Sequence, residues 1–386
     1  GMMIMMLCGF AAYMTHIGAN DMVVKLASKP LQYINSPYLL MVAAYFLACL
    51  MSLAVSSATG LGVLLMATLF PVMVNVGISR GAAAAICASP AAIILSPTSG
   101  DVVLAAKAAE MSLIDFAFKT TLPISITAIL GMGVAHFFWQ RYLDRKEGWI
   151  PSEHVGEKLV FEGEDVKRPS TAAPKIYAIL PFLPMVFVVV FSQYCIESIK
   201  LNITTLMLFC VTIAMICEAI RWRGNIDKLG AGLKAFLMAM GKSCSGVVAL
   251  VIAAGVFATG FKALGMIDAI VSLATSVGAG GLGMSILFVV ITTLVTIIAG
   301  SNGASFYPLV EMVPHIAKSM GVNPVMLVLP MHQASTIARP LSPVAGVVVA
   351  ISAMCKMSPL ELVKRASVPS ILGLISHHIF VFWLSI

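Results

Sequence analysis

Apolar runs recur from the first residues of this chain to its last: Gly1–Tyr13, Tyr38–Val55, Leu122–Trp139, Ile176–Phe191, Thr204–Ile220, Val247–Ala258, Ser285–Ala299 and Val368–Ile386. A helix needs about 20 residues to cross the hydrocarbon core of a bilayer, so the shorter runs extend into their flanks. Only 11% of the 386 residues are charged and 60% are hydrophobic, whereas a soluble domain carries roughly 25% charged residues. So few charges cannot clothe a water-facing shell, and most of the surface must face lipid. The pattern predicts an all-α integral membrane protein with about ten membrane segments.

The net charge is +7. The basic residues sit in short loops between spans, as topology signals do, and nucleic acid is not an expected partner. Arg141, Arg145 and Lys146 close one span, and Arg221, Arg223, Lys228 and Lys234 fill a later loop. Two spans and a weakly charged turn (Glu197–Asn202) separate them, so both basic loops belong on the cytoplasmic side. The polar stretch Arg141–Pro174, with Glu153, Glu157, Glu162, Glu164 and Asp165, is too short to bury a core of its own. It reads as a linker, which divides the chain into a first membrane repeat (1–140), a cytoplasmic linker (141–175) and a second membrane repeat (176–386). The eight cysteines are scattered singly, without CxxC or Cys/His spacing, so neither disulfides nor a metal site is expected. The start has no basic n-region and no cleavage site. It opens directly in apolar sequence, which suggests further sequence ahead of Gly1.

An internal repeat supports that division. Residues 94–103 (Ile-Leu-Ser-Pro-Thr-Ser-Gly-Asp-Val-Val) align without gaps on residues 340–349 (Pro-Leu-Ser-Pro-Val-Ala-Gly-Val-Val-Val). The same register places Ala88-Ser89 on Ala334-Ser335, Met111-Ser112 on Met357-Ser358 and Pro123 on Pro369. With a small shift, Ser57–Gly60 falls near Ser301–Gly303. The odd number of spans between the copies suggests inversion. Charge agrees: Lys107, Glu110, Asp115 and Lys119 cancel after copy one, whereas Lys356, Glu361, Lys364 and Arg365 leave a positive excess after copy two. Inverted repeats are a recurrent plan of secondary transporters.

Each copy interrupts apolar sequence with Ser, Thr, Pro and Gly. Ser89-Pro90 and Ser96–Gly100 break copy one, and Arg339–Gly346 breaks copy two. Proline removes a backbone donor and clashes with the preceding turn. In lipid such breaks persist only where they are buried in protein or line a polar cavity. The freed N–H groups and the positive end of the following half-helix form an anion site. Two such ends at the membrane midplane suit a molecule with two carboxylates. Polar tips, Ser56–Gly60 and Gly300–Ser305, read as ends of re-entrant hairpins. The candidate substrate groups are Ser57, Thr59, Gly60, Ser96, Thr98, Ser99, Gly100, Ser301, Asn302, Gly303, Ser305, Ser335, Arg339 and Ser342. For each serine or threonine the competing role is helix packing or a bond back to its own helix.

Arg339 stays charged and matches a carboxylate bidentately; its alternative is to snorkel to the interface. Asp101, with Asn302, is the candidate for a coupling proton or cation, and Asp101 could instead cap its half-helix. His332 could relay protons or be a structural histidine. His16, His136, His315, His377 and His378 fall near expected span ends and are given no role. An intramembrane enzyme would need a nucleophile–base pair or a metal set, and no HExxH, GxSxG or paired intramembrane carboxylates occur. A passive channel is less favoured than a carrier, since no charged ring is visible.

The stretches Ser56–Gly62, Ile86–Asp101, His136–Asp144 and Leu341–Ala350 give the chain a close resemblance to the anaerobic four-carbon dicarboxylate carriers of the DcuC type, within the ion transporter superfamily. The likeness extends over nearly the whole chain. It implies a multi-pass carrier of the bacterial inner membrane for succinate, fumarate and malate in anaerobic metabolism, often in succinate efflux. It also implies inverted repeats, a homodimer in the lipid bilayer and an elevator-like movement of one domain. Carried over by position, the binding segments are the tips Ser57–Gly60 and Ser301–Ser305 and the loops Ser96–Asp101 and Arg339–Gly346. Such carriers usually have further hydrophobic helices before the point where this chain starts. Better-known dicarboxylate members carry Ser-Asn-Thr at both tips. Here the tips read Ser57-Ala58-Thr59 and Ser301-Asn302-Gly303, so a coupling proton is at least as well supported as sodium, and no other cofactor is implied.

Overall fold

The structure is a computed structural model that describes residues 1–29, 31, 34, 36–93, 95–153, 173–191, 202–265, 269, 272 and 280–384. Ile94, the centre of the expected linker (154–172) and most of the expected turn at 197–202 lie outside the described residues. Every regular element among the described residues is helical. The first half contains α1 (Met2–His16), α2 (Ala19–Ala27), α3 (Pro37–Met51), α4 (Ala58–Asn75), α5 (Arg80–Ala88), α6 (Gly100–Ala108) and α7 (Leu122–Lys146). The second contains α8 (Leu183–Val190), α9 (Ile203–Arg221), α10 (Ile226–Ser243), α11 (Ala249–Ala263), α12 (Gly280–Ala299), α13 (Asn302–Val310), α14 (Val313–Met320), α15 (Val325–Ile337), α16 (Gly346–Cys355) and α17 (Pro359–Leu384).

Among the described residues, seven helical segments are long and apolar enough to cross a membrane. An eighth is the pair α1 and α2, bent by 67° at Gly18, whose φ of 77° suits glycine. Two shorter apolar segments, Pro37–Met51 and Lys175–Val190, lie beside them.

The repeat is visible in the backbone. α6 opens at Gly100 and α16 at Gly346, the two positions that the sequence register pairs. Upstream, each copy runs from a helix into a short 3-10 turn carrying proline near its start: Ser89–Ala92 after α5, and Arg339–Leu341 after α15. A turn follows in each, closed by Ser99 N on the Ser96 carbonyl and Ala345 N on the Ser342 carbonyl, and Ser99 (ψ 146°) and Ala345 (ψ 135°) lead extended into the second half-helix. Proline ends the first half-helix because it cannot donate to the preceding turn.

The helices that close the two copies, α7 and α17, pack along each other and run antiparallel. A Cβ on Gly131 would approach Ser376, and one on Gly373 would meet Met132. Toward the far end, Trp139 Nε1 donates to the Lys364 carbonyl and Asp144 pairs with Arg365. Residue numbers fall along one helix as they rise along the other. Pro123 and Pro369 align in the repeat, so the equivalent helices point in opposite directions, as inverted copies require.

A buried polar network locks one end of this seam. Arg365, 2% exposed, donates from Nη1 to Asp144 Oδ1 at 2.8 Å and to Gln140 Oε1 at 3.3 Å, and pairs through Nη2 with Glu147. Asp144 is fully buried and also accepts from Ser79 Oγ (2.6 Å) and Tyr38 OH (3.2 Å). Gln140 Nε2 donates to the Arg365 carbonyl at 2.8 Å. Gly81 makes room for the guanidinium, since a Cβ there would sit 2.4 Å from Arg365 Nε. The network reaches the first break. Ser89 Oγ donates to the Ala85 carbonyl and so accepts from His136 Nε2, 2.9 Å away, while Gln140 Nε2 lies 3.3 Å from His136 Nδ1.

His136 therefore lies inside the bundle, not at a span end as hydropathy suggested. His377 is also fully buried and His378 half-buried. His16 and His315 are exposed, in keeping with their expected places. Glu218 and Arg221 form an ion pair at 3.0 Å.

Removing one partner of a buried ion pair leaves the other charge uncompensated and costs about 3–5 kcal/mol. Arg365→Met should therefore lower the melting temperature of detergent-solubilised protein by several degrees. Arg365→Met combined with Asp144→Leu should recover part of that loss, and a double variant as unstable as the sum of the two singles would contradict this account.

Candidate functional site

Four non-helical segments converge. At the first tip, Ser56 Oγ donates to Ser96 Oγ in the first break at 3.2 Å. The same tip touches the second break, where a Cβ on Gly346 would lie 3.1 Å from Thr59 Oγ1. At the second tip, Asn302 Nδ2 donates to Asp101 Oδ2 in the first break at 3.0 Å. Gly300 of that tip backs onto the second break, with the Val344 carbonyl 2.7 Å from where its Cβ would be. Each tip thus packs against both breaks; the tip bonds reach side chains there, while Ser52 Oγ accepts from the Leu95 N of the first break at 3.3 Å, a partner that lipid could not supply.

Asp101 joins the two copies. Its Oδ1 accepts from Val102 N at 3.1 Å and from Ser99 Oγ, and Oδ2 faces Asn302 and His332 Nε2, the latter at 3.4 Å. Asp101 thus bonds both to the first turn of α6 and across the repeat to Asn302. Ser96 and Thr98 hydroxyls lie 3.0 Å apart.

Arg339 is buried in the 3-10 turn before α16. Its Nε donates weakly to the Thr336 carbonyl at 3.4 Å, and its Nη2 has no hydrogen-bond partner among the described residues. Asp101 and Tyr307 are close enough to interact with it electrostatically. Ser342 Oγ and both polar atoms of Gln333 are likewise buried without partners among the described residues. Buried polar groups are nearly always bonded, so orphaned groups around one break mark a place built to hold something polar.

Several candidates serve their own helices instead. Ser57 Oγ caps α4 by accepting from Gly60 N at 3.1 Å. Ser335 Oγ donates to the His332 carbonyl at 2.7 Å. Ser305 Oγ donates to the Asn302 carbonyl and meets Thr296 Oγ1 at 2.6 Å. Gly303 makes room for the Tyr307 ring, 2.9 Å from where its Cβ would be. Thr59, Gly60, Ser301 and Gly346 remain exposed. Ser56, Gln333 and Tyr307 join the site without having been singled out for it. The tip motif containing Ser56 was a signal for that residue, but Tyr307 faces the site only because α13 packs on α6.

Inverted helical halves whose broken segments enclose a buried arginine, with one nitrogen unpartnered among the described residues, follow the plan of a membrane transporter. Residues 1–385 match the DcuC family, described as C4-dicarboxylate anaerobic carrier, and the chain belongs to it. It is 61% identical over 375 residues to the anaerobic C4-dicarboxylate transporter DcuC of Escherichia coli (strain K12), covering 97% of this chain and 78% of that one. A Vibrio cholerae protein named as a probable transporter of the same kind is 51% identical over 376 residues, 97% of this chain and 80% of that one. The fold is that of the Alcanivorax borkumensis YdaH transporter, with a TM-score of 0.64 at 16% identity, covering 98% of this chain and 84% of that chain.

Gly300 has a φ of 69°, where a side chain costs about 1–2 kcal/mol, and it abuts the Val344 carbonyl. Gly300→Ala should displace the second tip and slow transport severely in protein that still inserts. Wild-type transport rates in that variant would show that the tip need not sit against the second break.

Proposed function

We propose that this chain carries C4-dicarboxylates (succinate, fumarate and malate) across the bacterial inner membrane by an elevator-type alternating-access movement, coupled to protons or another cation. The observation that carries the substrate reading is Arg339: a buried guanidinium with an unpaired nitrogen just ahead of the N-terminus of α16. The repeat makes the two half-helix ends unequal. In copy one, Asp101 places its own carboxylate at the start of α6. The aligned residue in copy two is Val347, so the positive end of α16 and Arg339 remain for a carboxylate from outside the chain. The exposed tip groups Thr59 and Ser301 and the orphaned Ser342 and Gln333 offer neutral hydrogen bonds for the rest of the molecule. Asp101, held by Asn302 and facing His332, is the group we assign to the coupling ion, with a proton favoured over sodium by the altered tip sequences. The relatives' names support the substrate class, and the resemblance supports a homodimer as the working unit.

The test is uptake of labelled succinate into proteoliposomes with a pH or sodium gradient imposed or collapsed. Uptake should follow the pH gradient and be blocked by fumarate and malate. A charge-assisted hydrogen bond is worth about 1.5–3 kcal/mol, so Arg339→Ala should weaken substrate affinity roughly ten- to a hundredfold while the protein still inserts. Unchanged affinity would remove Arg339 from the site. Absence of uptake by folded protein under every gradient would point to another anion or to cation/proton exchange.

A further inference from the structure

The lipid-facing side of the α7–α17 seam carries a groove of about 680 Å³. Gly131, Ala135 and Ser376 form its floor, and Phe138 and Ile379, both more than half exposed, rise on either side. The floor is low because Gly131 and Ala135 stand four apart on one face of α7, between larger residues. No charged residue lines the groove among the described residues. Ser376 Oγ is spent on its own helix, donating to the Gly373 carbonyl at 3.1 Å. A polar solute would lose its water there without new partners, so the groove suits hydrocarbon and is separate from the substrate site.

Length and level fit one leaflet. Along α7 the lining runs from Tyr142 to Leu130, about 18 Å at 1.5 Å per residue; half of the roughly 30 Å hydrocarbon core is about 15 Å. At the Tyr142 end, Trp139 stacks on Tyr142 with ring centroids 5.5 Å apart, and its Nε1 donates to the Lys364 carbonyl at 3.1 Å. Trp383, 72% exposed, lies nineteen residues beyond Lys364 on α17, about 28 Å away. Tryptophan and tyrosine gather at the two membrane interfaces, so these rings mark both edges of the core. The groove starts at one edge and ends a little past the midplane.

Basic residues stand at that edge. Arg145 and Lys146 follow Tyr142 by three and four residues, and Lys364 precedes Val368, a lining residue, by four. All three therefore continue the groove's faces of the two helices, and each is exposed. Of the acids nearby, Asp144 is buried against Arg365, and Glu147 pairs with Arg365 and lies 3.9 Å from Lys364. Glu361 is exposed nearly one turn beyond Lys364. The excess of basic residues puts this end at the cytoplasmic face.

We propose that the groove holds an acyl chain of an anionic phospholipid of the cytoplasmic leaflet, with the phosphate between Lys146 and Lys364. Basic pockets between transmembrane helices on the cytoplasmic side favour such head groups. The parts also stand in the order that a lipid needs: cations, then aromatic rings, then an apolar trough. A second copy of the chain fits less well. Both copies of a membrane dimer share one orientation, so a two-fold contact centred on the groove would set hollow against hollow and bring the basic rims together. Bound there, the lipid bridges α7 and α17 and strengthens the seam that Arg365 pins at the same end.

The test strips the purified chain of lipid in detergent and titrates it with dioleoylphosphatidylglycerol or dioleoylphosphatidylcholine. Native mass spectrometry counts bound lipid while the melting temperature is followed. Wild type should retain one phosphatidylglycerol per chain and melt higher with it, and phosphatidylcholine should bind roughly tenfold or more weakly. A basic residue near the membrane surface is worth roughly fivefold in affinity for an anionic lipid, so Lys146→Gln combined with Lys364→Gln should weaken binding on the order of twenty-fold. Leu372→Trp, which fills the groove from its exposed wall, should lose the lipid with both charges intact. Phosphatidylcholine bound as tightly as phosphatidylglycerol would overturn the anionic head group. Wild-type binding in the double lysine variant would remove the lipid from this groove, whether or not Leu372→Trp folds. A dimer that Leu372→Trp splits, with lipid binding unchanged, would give the groove to a second copy instead.

Discussion

A peptide group in hydrocarbon has no water to bond, and this constraint orders the whole molecule. The chain breaks its helices around Ser89–Ser99 and Arg339–Ala345, where proline and extended backbone leave N–H and C=O groups unpaired within the helix. Such segments can exist in a membrane only if other protein covers them. The tips supply that cover, and each reaches both breaks. Site and fold are thus one arrangement: the packing that makes the breaks tolerable also gathers Asp101, Asn302, His332 and Arg339.

Two buried arginines show the same chemistry put to different ends. Arg365 is matched on nearly every side by Asp144, Glu147, Gln140 and Ser79. Its charge is spent inside the protein, and it joins α17 to α7. Among the described residues Arg339 has a single weak bond to a carbonyl, with Asp101 near but already engaged by Ser99, Val102 and Asn302. Burying a charge without a full set of partners is expensive, and the expense persists here beside a helix start that attracts anions. Read by partners rather than by residue type, one arginine is architecture and the other is the group we propose for binding.

Much of this was legible along the chain because helices and their breaks are local. Apolar run lengths set the class, the aligned prolines and glycines located both broken helices, and α6 and α16 do open at the paired glycines. Less legible was which hydroxyls look inward. Ser57 and Ser335 bond to backbone of their own helices and Ser305 does so while also meeting Thr296, whereas Ser56 and Ser96 bond across elements, and that choice depends on how closely another element approaches. The histidines were misplaced for a related reason. Run ends were read from hydropathy, and a histidine lowers hydropathy without ending a helix. α7 continues past His136 to Lys146, and α17 starts at Pro359, well before the apolar run at Val368. Arg365, in the second turn of α17, is buried because α7 brings Asp144 to meet it, and no local pattern announces such a pairing.

The seam between α7 and α17 has a mechanical consequence. At one end it is pinned by ions; elsewhere Gly131 and Gly373 let the backbones approach closely. Sliding one helix past the other by a single turn, about 5.4 Å, would part Arg365 from Asp144 and drive side chains into the space beside the glycines. The seam therefore resists shear and works as a corner post, about which the rest of each half can tilt but along which neither half can travel.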